Sequence, residues 1–451
     1  MNPSQLRKIG VHLSDYTYLP DLERRLLISK LSPFEIEVLN EIIHNSLKFP
    51  VKELAELMDV SGQEILTVLE KLLPLSLFTF DGNTISVQKE SRKYFETQLE
   101  RFDEDFTPDI DYFQSLLRHV PIHLLPLWFS IPKSTDDIFG SIIENYFLTP
   151  ELYTKYLRDL QFDNKYAAKI IKMLHKGPEY IVKVSDIIEK FSLTPESLEE
   201  LIIVLEFNKI CCLKYIREND SYRRILVPFH EWHSYLLSMQ SLSCKPISDP
   251  EHVNPLYSRC FGFAEDIDLI VQKTGEAGLE IVKIKEFCSI NFHRIPEKMV
   301  QLGLVTVRDN HLIPSENMGD WKHKSIQDKA MALYFTTLNG FRKIGAAGDF
   351  NDRDIREIEK SLKAIIGKGW VYLNDFIDGM IAPIGKSPPV MLQKKGRLRN
   401  YALPKYDEKQ ISFIKSTLEK HLLESGMVNL GSHNDQICIS VTPFGKLSLG
   451  D

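Results

Sequence analysis

The stretch DGMIAPIGKSPP, residues 378–389, ends in Gly385-Lys386-Ser387, the residue types that close a phosphate-binding loop. Such a loop needs G-x-x-x-x-G-K-[ST], so that successive backbone N–H groups curl around the phosphates. A buried strand must lead in and a helix must lead out, its N-terminus facing the phosphate. Here five residues, not four, separate Gly379 from Gly385, and Asn374, Asp375 and Asp378 interrupt the approach. Pro388-Pro389 stand where the helix should start, and the second proline forces the residue before it into extended geometry. The stretch therefore reads as a proline-bearing loop. His230-Glu231-Trp232-His233 is one residue short of the zinc-protease H-E-x-x-H, which needs its histidines at i and i+4 and a third ligand. It reads as a helix start behind Pro228, with Trp232 in a core. None of the six cysteines forms a C-x-x-C pair, and no G-x-S-x-G is present. The expectation is a chain without catalytic residues, metal or cofactor.

A different chemistry is on offer in QKKGRLRNYALPKY, residues 393–406. Lys394, Lys395, Arg397, Arg399 and Lys405 occur with no acid among them, and Tyr401 and Tyr406 could stack on bases or touch sugars. Lys386 adds one more cation. Lys386, Lys394, Lys395, Arg397, Arg399, Tyr401 and Lys405 are thus the expected nucleic-acid-binding residues. The bland alternative is a solvated loop that balances acidic neighbours, including the first 150 residues of the same chain. The net charge of −7 is uneven: residues 1–150 hold 14 basic and 23 acidic residues, residues 352–451 hold 15 and 12. A nonspecific phosphate-backbone binder is normally basic throughout, so any DNA contact should be local and C-terminal.

The acidic run DEDFTPDID, residues 103–111, reads as a linker, or as a partner-docking segment that uses Phe106 and Ile110. VPIHLLPLWFSIP, residues 120–132, is too short and too proline-rich to span a bilayer. The N-terminal residues lack the apolar core of a secretory signal, and the cysteines read as reduced. Together these predict a cytoplasmic protein.

One order of elements recurs. Ser32-Pro33-Phe34-Glu35 is a capping box with proline at the first helical position. VKELAELM follows as a second helix, Ser61-Gly62-Gln63-Glu64 starts a third, and LFTFDGNTISV is a hairpin around Asp81-Gly82. KYAAKIIKMLHKGPEY opens a second copy, whose third helix is capped by Thr194 before Pro195. EDIDLIVQKTG opens a third, which ends in a hairpin around Asp309-Asn310. A fourth runs from DIREIEKSLKAIIGKGWVYLNDFI to MVNLGSHNDQICISVTP. Helix, short helix, capped helix and hairpin is the winged-helix form of the helix-turn-helix. The fold expected is mainly α with small β-hairpins: tandem winged-helix units joined by helical segments. The boundaries expected are 1–102, an acidic linker and helical connector over 103–160, and further units over 161–245, 246–345 and 346–451. The third helices carry carboxylates (Glu64 and Glu70; Glu196, Glu199 and Glu200), which would repel phosphate and suit a basic protein partner. Near the third helix of the third copy stand His293, Arg294 and Lys298.

LGLVTVRDNHLIP followed by WKHKSIQDKAMALYFTTL, then GWVYLNDFI, YALPKYDEKQISFIKSTLEKHLLESGMVNL and ISVTPFGKLSL, resembles bacterial multi-winged-helix proteins of the helicase-associated kind, related to the N-terminal regions that accompany XPB-type helicases. The resemblance covers roughly the last 200 residues. It implies a helical, winged-helix fold and an association with DNA transactions, and it carries no catalytic residues. Three readings stay open. The first is a non-catalytic scaffold or regulator that binds a protein partner and, through its basic C-terminal loop, DNA. The second is a protein-interaction subunit without nucleic-acid binding. The third is a nucleotide-binding enzyme that uses the Gly385-Lys386-Ser387 loop.

Overall fold

The computed structural model describes residues 10–132, 134–257, 259–288, 292–345 and 349–450. It is mainly helical, with small antiparallel sheets. The chain divides into two compact units. The first comprises Met1–Leu237 with Met391–Ala402, and the second comprises Ser238–Val390 with Leu403–Asp451. The polypeptide therefore passes between units three times, and twelve residues expected to lie in a C-terminal unit belong to the first.

Among the described residues one topology occurs four times: helix, strand, helix, helix, strand, strand, with the third strand central; in the fourth, the strand pair Met391–Lys395 and Leu398–Ala402 interrupts the order between the second and third helices. The first repeat has helices Pro33–His44, Val51–Leu57 and Gly62–Leu72 and strands Lys48–Pro50, Phe78–Phe80 and Thr84–Val87. Both capping boxes form as the sequence suggests: Ser32 and Ser61 accept from the Glu35 and Glu64 amides, and each glutamate reaches back to its serine amide. The second repeat has helices Ala167–Lys176, Val184–Phe191 and Pro195–Phe207, the last capped by Thr194, with strands Val182–Lys183, Cys211–Glu218 and Ser221–Pro228.

The second unit holds the other two repeats. The third has helices Gly262–Lys273, Ile284–Phe287 and Ile295–Gln301 and strands Leu279–Glu280, Val305–Arg308 and His311–Pro314. Asp309 and Asn310 both take positive φ in its turn, as a tight hairpin of this twist requires. The fourth has helices Asp352–Ser361, Leu373–Asp378 and Glu408–Thr417 and strands Val371–Tyr372, Val428–His433 and Gln436–Val441. Asn254–Pro255 pairs along the outer edge of Val428–His433, which keeps that edge from pairing with another chain. Gly303 ends the third helix of the third repeat at φ +69, and Gly426, at φ +76, ends the turn after Leu418–Leu422, a π-helical continuation of Glu408–Thr417. At Gly426 a Cβ would also meet the Cys260 carbonyl at 2.7 Å, so no larger residue fits there.

The first unit is built on aromatic rings. Phe113 packs edge-on against Phe129, Phe147 and Phe229, and Trp128 stacks on Phe207. VPIHLLPLWFSIP supplies Leu124, Leu125, Trp128, Phe129 and Ile131 to this buried set. The acidic run does not form a docking segment: Phe106 and Ile110 are buried, and the Lys214 ammonium donates to the Glu104 and Phe106 carbonyls. No helix of the described residues is long and apolar enough to cross a membrane.

The second unit has one apolar cluster that joins its two repeats, with Phe263, Ile267, Met299 and Trp321 from one and Ile358, Phe376, Ile414 and Val428 from the other. Asp266 lies beside it on Gly262–Lys273. Burial pushes its carboxyl up to about 6, against a hydrogen bond from Tyr257 and with a smaller push from Glu265. A raised folded pKa means that the folded state binds the proton more tightly. Stability is then full below the ordinary carboxylate range and is lost as pH rises toward about 6. Denaturant melts of the second unit's transition should lose about 1–2 kcal/mol over that window, allowing for solvent screening, and Asp266→Asn should abolish the slope.

Candidate nucleic-acid interface

The basic residues 394–399 form a hairpin. Strand Met391–Lys395 pairs with Leu398–Ala402, and Lys394 stands opposite Arg399. Gly396 takes φ +67 at the first turn position, the conformation of a II′ turn that glycine adopts without strain. Lys394, Lys395 and Arg397 are exposed at the tip, and none has an ion-pair partner among the described residues. Arg399, closer to the stem, is partly buried and lies 3.8 Å from the Asp111 carboxylate.

The stem is seated inside the first unit. Leu392 donates its amide to the Leu148 carbonyl at 2.8 Å. The Tyr401 hydroxyl donates to the Phe147 carbonyl at 2.8 Å, and its ring meets Tyr235 edge-on. Asn400 lies 3.0 Å from the His230 ring nitrogen. Tyr401 is thus an anchor, buried at 7% exposure, and its ring is not presented to a nucleic acid as the sequence had suggested. Tyr401→Ala is expected to cost the first unit about 3 kcal/mol or more and to release the hairpin. Limited trypsin digestion reads this directly, because cleavage at Lys394, Lys395 and Arg397 should become much faster than in the parent chain.

Lys386 and Lys405 belong to the second unit. Both are exposed, and Lys386 lies 3.3 Å from Asp349. The loop of Lys386 has no phosphate cradle. Helix Leu373–Asp378 leads in, and strand Met391–Lys395 follows. The Gly385 amide, which a phosphate would need, donates to Asp354 at 2.8 Å. That carboxylate is itself buried and also accepts from Asn351. Gln410 holds the Ile384 carbonyl and the Ser387 hydroxyl. A phosphate would have to displace the protein's own anion.

The third helices differ from one another. In the first repeat Gln63, Glu64, Thr67 and Glu70 are exposed, beside an open groove of about 970 Å³ bounded by Val51, Asp59, Ser61 and Asn83. In the second repeat Glu196 is exposed, but the other carboxylates of the helix are engaged within the chain. Glu199 and Glu206 are buried, and Arg25 of helix Leu19–Ile28 reaches them at 3.1 and 2.7 Å. Glu200 accepts from the Tyr18 hydroxyl. In the third repeat Arg294 and Lys298 both bind buried Glu424, Lys298 at 2.8 Å, so neither cation faces outward as a DNA reader.

His230, Glu231 and His233 are likewise structural. Glu231 pairs with buried Lys209 at 2.7 Å and caps the Ile110 amide, while His233 meets the Glu179 carbonyl. No group of three metal-ligating side chains occurs among the described residues.

One basic surface was not read from the sequence. Lys169, Lys172 and Lys176 of the second repeat's first helix, with Lys190 of its second, line a common groove. The signal was present, since Lys165, Lys169, Lys172 and Lys176 recur at helical spacing. No protein-family model matches the chain, and no curated protein matches it.

Proposed function

We propose that the chain is a non-catalytic adaptor of tandem winged-helix units, which holds nucleic-acid phosphates on the tip of the Met391–Ala402 hairpin and engages a protein partner elsewhere on its surface. The observation that carries the reading is the set of three exposed cations, Lys394, Lys395 and Arg397, on a stem fixed by Tyr401 and Leu392. Cations held on a rigid, solvent-facing turn neutralise phosphates without loss of backbone order, and they do so without regard to base sequence. The four-fold helix–strand–helix–helix–hairpin order and the central third strand support the winged-helix assignment. So does the resemblance of the C-terminal residues to helicase-associated multi-winged-helix proteins. Lys386 and Lys405, exposed on the second unit, offer that unit phosphate contacts of its own. A cytoplasmic setting accords with six free cysteines, five of them buried.

The test is a fluorescence-anisotropy titration of the full chain with a labelled DNA duplex across salt concentrations, beside the Lys394→Ala/Lys395→Ala/Arg397→Ala variant. Salt-sensitive binding that the variant loses supports the reading, and equal binding by both proteins ends it. The second reading, a protein-interaction subunit alone, draws on the exposed carboxylates Glu64 and Glu70 of the first repeat. It requires that no DNA binds even at low salt.

A further inference from the structure

The groove between Ala167–Lys176 and Val184–Phe191 has an apolar floor and a cationic rim, and its volume is about 630 Å³. Met173, Ile181, Val182 and Phe191 form the floor, all at least half buried. Lys169, Lys172, Lys176 and Lys190 form the rim, and all four are exposed. Asp186 is the one carboxylate in the lining, and its side chain accepts from Ser185. Among the described residues none of the four lysines makes an ion pair. Instead, Lys169 and Lys190 each sit 5.9 Å from the Phe191 ring centre, and Lys169 is 5.6 Å from that of Tyr166. Such contacts hold the aliphatic stems along the apolar surface and leave the ammonium groups outermost.

We infer that this groove docks an acidic peptide segment of a protein partner, with one or two of its apolar side chains on the floor and its carboxylates on the lysines. Charge complementarity selects an anion. The floor then selects between anions, because a phosphodiester backbone offers nothing to cover Met173 and Phe191, whereas a peptide does. A duplex read by this repeat would also need the third helix, and helix Leu19–Ile28 packs there through Arg25 on Glu199 and Glu206. The groove gives the adaptor's protein partner a chemistry. It uses residues separate from the hairpin, so either assignment can fail alone.

The probe is a short fluorescein-labelled peptide of glutamate and aspartate with a central leucine–phenylalanine pair, titrated by anisotropy with the full chain. Binding should weaken as salt rises, and it should weaken again when serines replace the apolar pair. Lys172→Glu with Lys176→Glu should weaken it by about tenfold, since two attractions become repulsions. Lys172→Gln with Lys176→Gln should have a smaller effect in the same direction. Unchanged melting temperatures would show that these exposed substitutions leave the fold intact. The hairpin alanines should leave peptide binding untouched. Absence of peptide binding, binding indifferent to the lysine substitutions, or loss of duplex DNA binding in place of peptide binding would each overturn the inference.

Discussion

The full chain with Lys394, Lys395 and Arg397 all replaced by alanine is expected to bind duplex DNA more weakly than the parent by about two to three orders of magnitude near 0.1 M salt. Each phosphate neutralised releases condensed counterions and contributes about 0.9 to the slope of log affinity against log salt. Removing three cations should flatten that slope by about 3, and the same electrostatics set the affinity change. Arg399→Ala should do much less, because its guanidinium lies partly buried near Asp111. Gly396 and the stem pairing are untouched in all these variants, so the turn should survive. A flattened slope with the parental melting temperature identifies direct phosphate contact. An unchanged slope would mean that the hairpin carries its cations for another purpose.

Glu206→Ala is expected to destabilise the first unit by about 3–5 kcal/mol, measured as the shift in its denaturant midpoint. The side chain is fully buried. It accepts from Arg25 at 2.7 Å, from Arg101 at 3.0 Å and from the Leu213 amide at 3.0 Å. Alanine removes the shared anion and leaves two guanidinium groups buried with too little charge to meet them, which is the costly way to break a buried pair. Burial alone would push the Glu206 carboxyl up, but Arg101, Arg25 and the Leu213 amide outweigh it and hold the group below its usual range. Its contribution is therefore present at neutral pH and is lost as pH falls through the depressed value. Glu199 runs the other way, since burial dominates over Arg25 and raises it. The acid limb of the stability curve should accordingly be shallower in Glu206→Ala than in the parent chain.

Local features of the fold were legible in the sequence wherever one short segment determined them. Ser32 and Ser61 announce their helices because a cap needs only the next three residues. Asp309-Asn310 announces a turn because few residue types tolerate positive φ there. Trp232 behind His230 reads correctly as a core residue. The misreadings have a common cause. Glu199 looks like an exposed acid on an amphipathic helix until Arg25, far earlier in the chain, arrives to bury it. Arg294 and Lys298 leave the third repeat ambiguous in sequence, because nothing near them shows that Glu424 claims both. Tyr401 looks like a stacking platform because nothing near it in sequence indicates that Phe147 will take its hydroxyl. The lysine groove needs two helices side by side, and periodicity along either one does not reveal it.

The seating of Met391–Ala402 within the first unit also fixes an order of assembly on the ribosome. Residues 1–237 emerge with the place for Leu392 and Tyr401 still empty, and the strands that fill it are synthesised only after most of the second unit. Until then, nascent chains would carry the Phe147 carbonyl without its hydroxyl donor and the Tyr235 ring without its Tyr401 neighbour, the kind of incomplete surface that chaperones engage. A cut between residues 237 and 238 would likewise give two fragments, one lacking a strand pair and the other carrying it with nowhere to go.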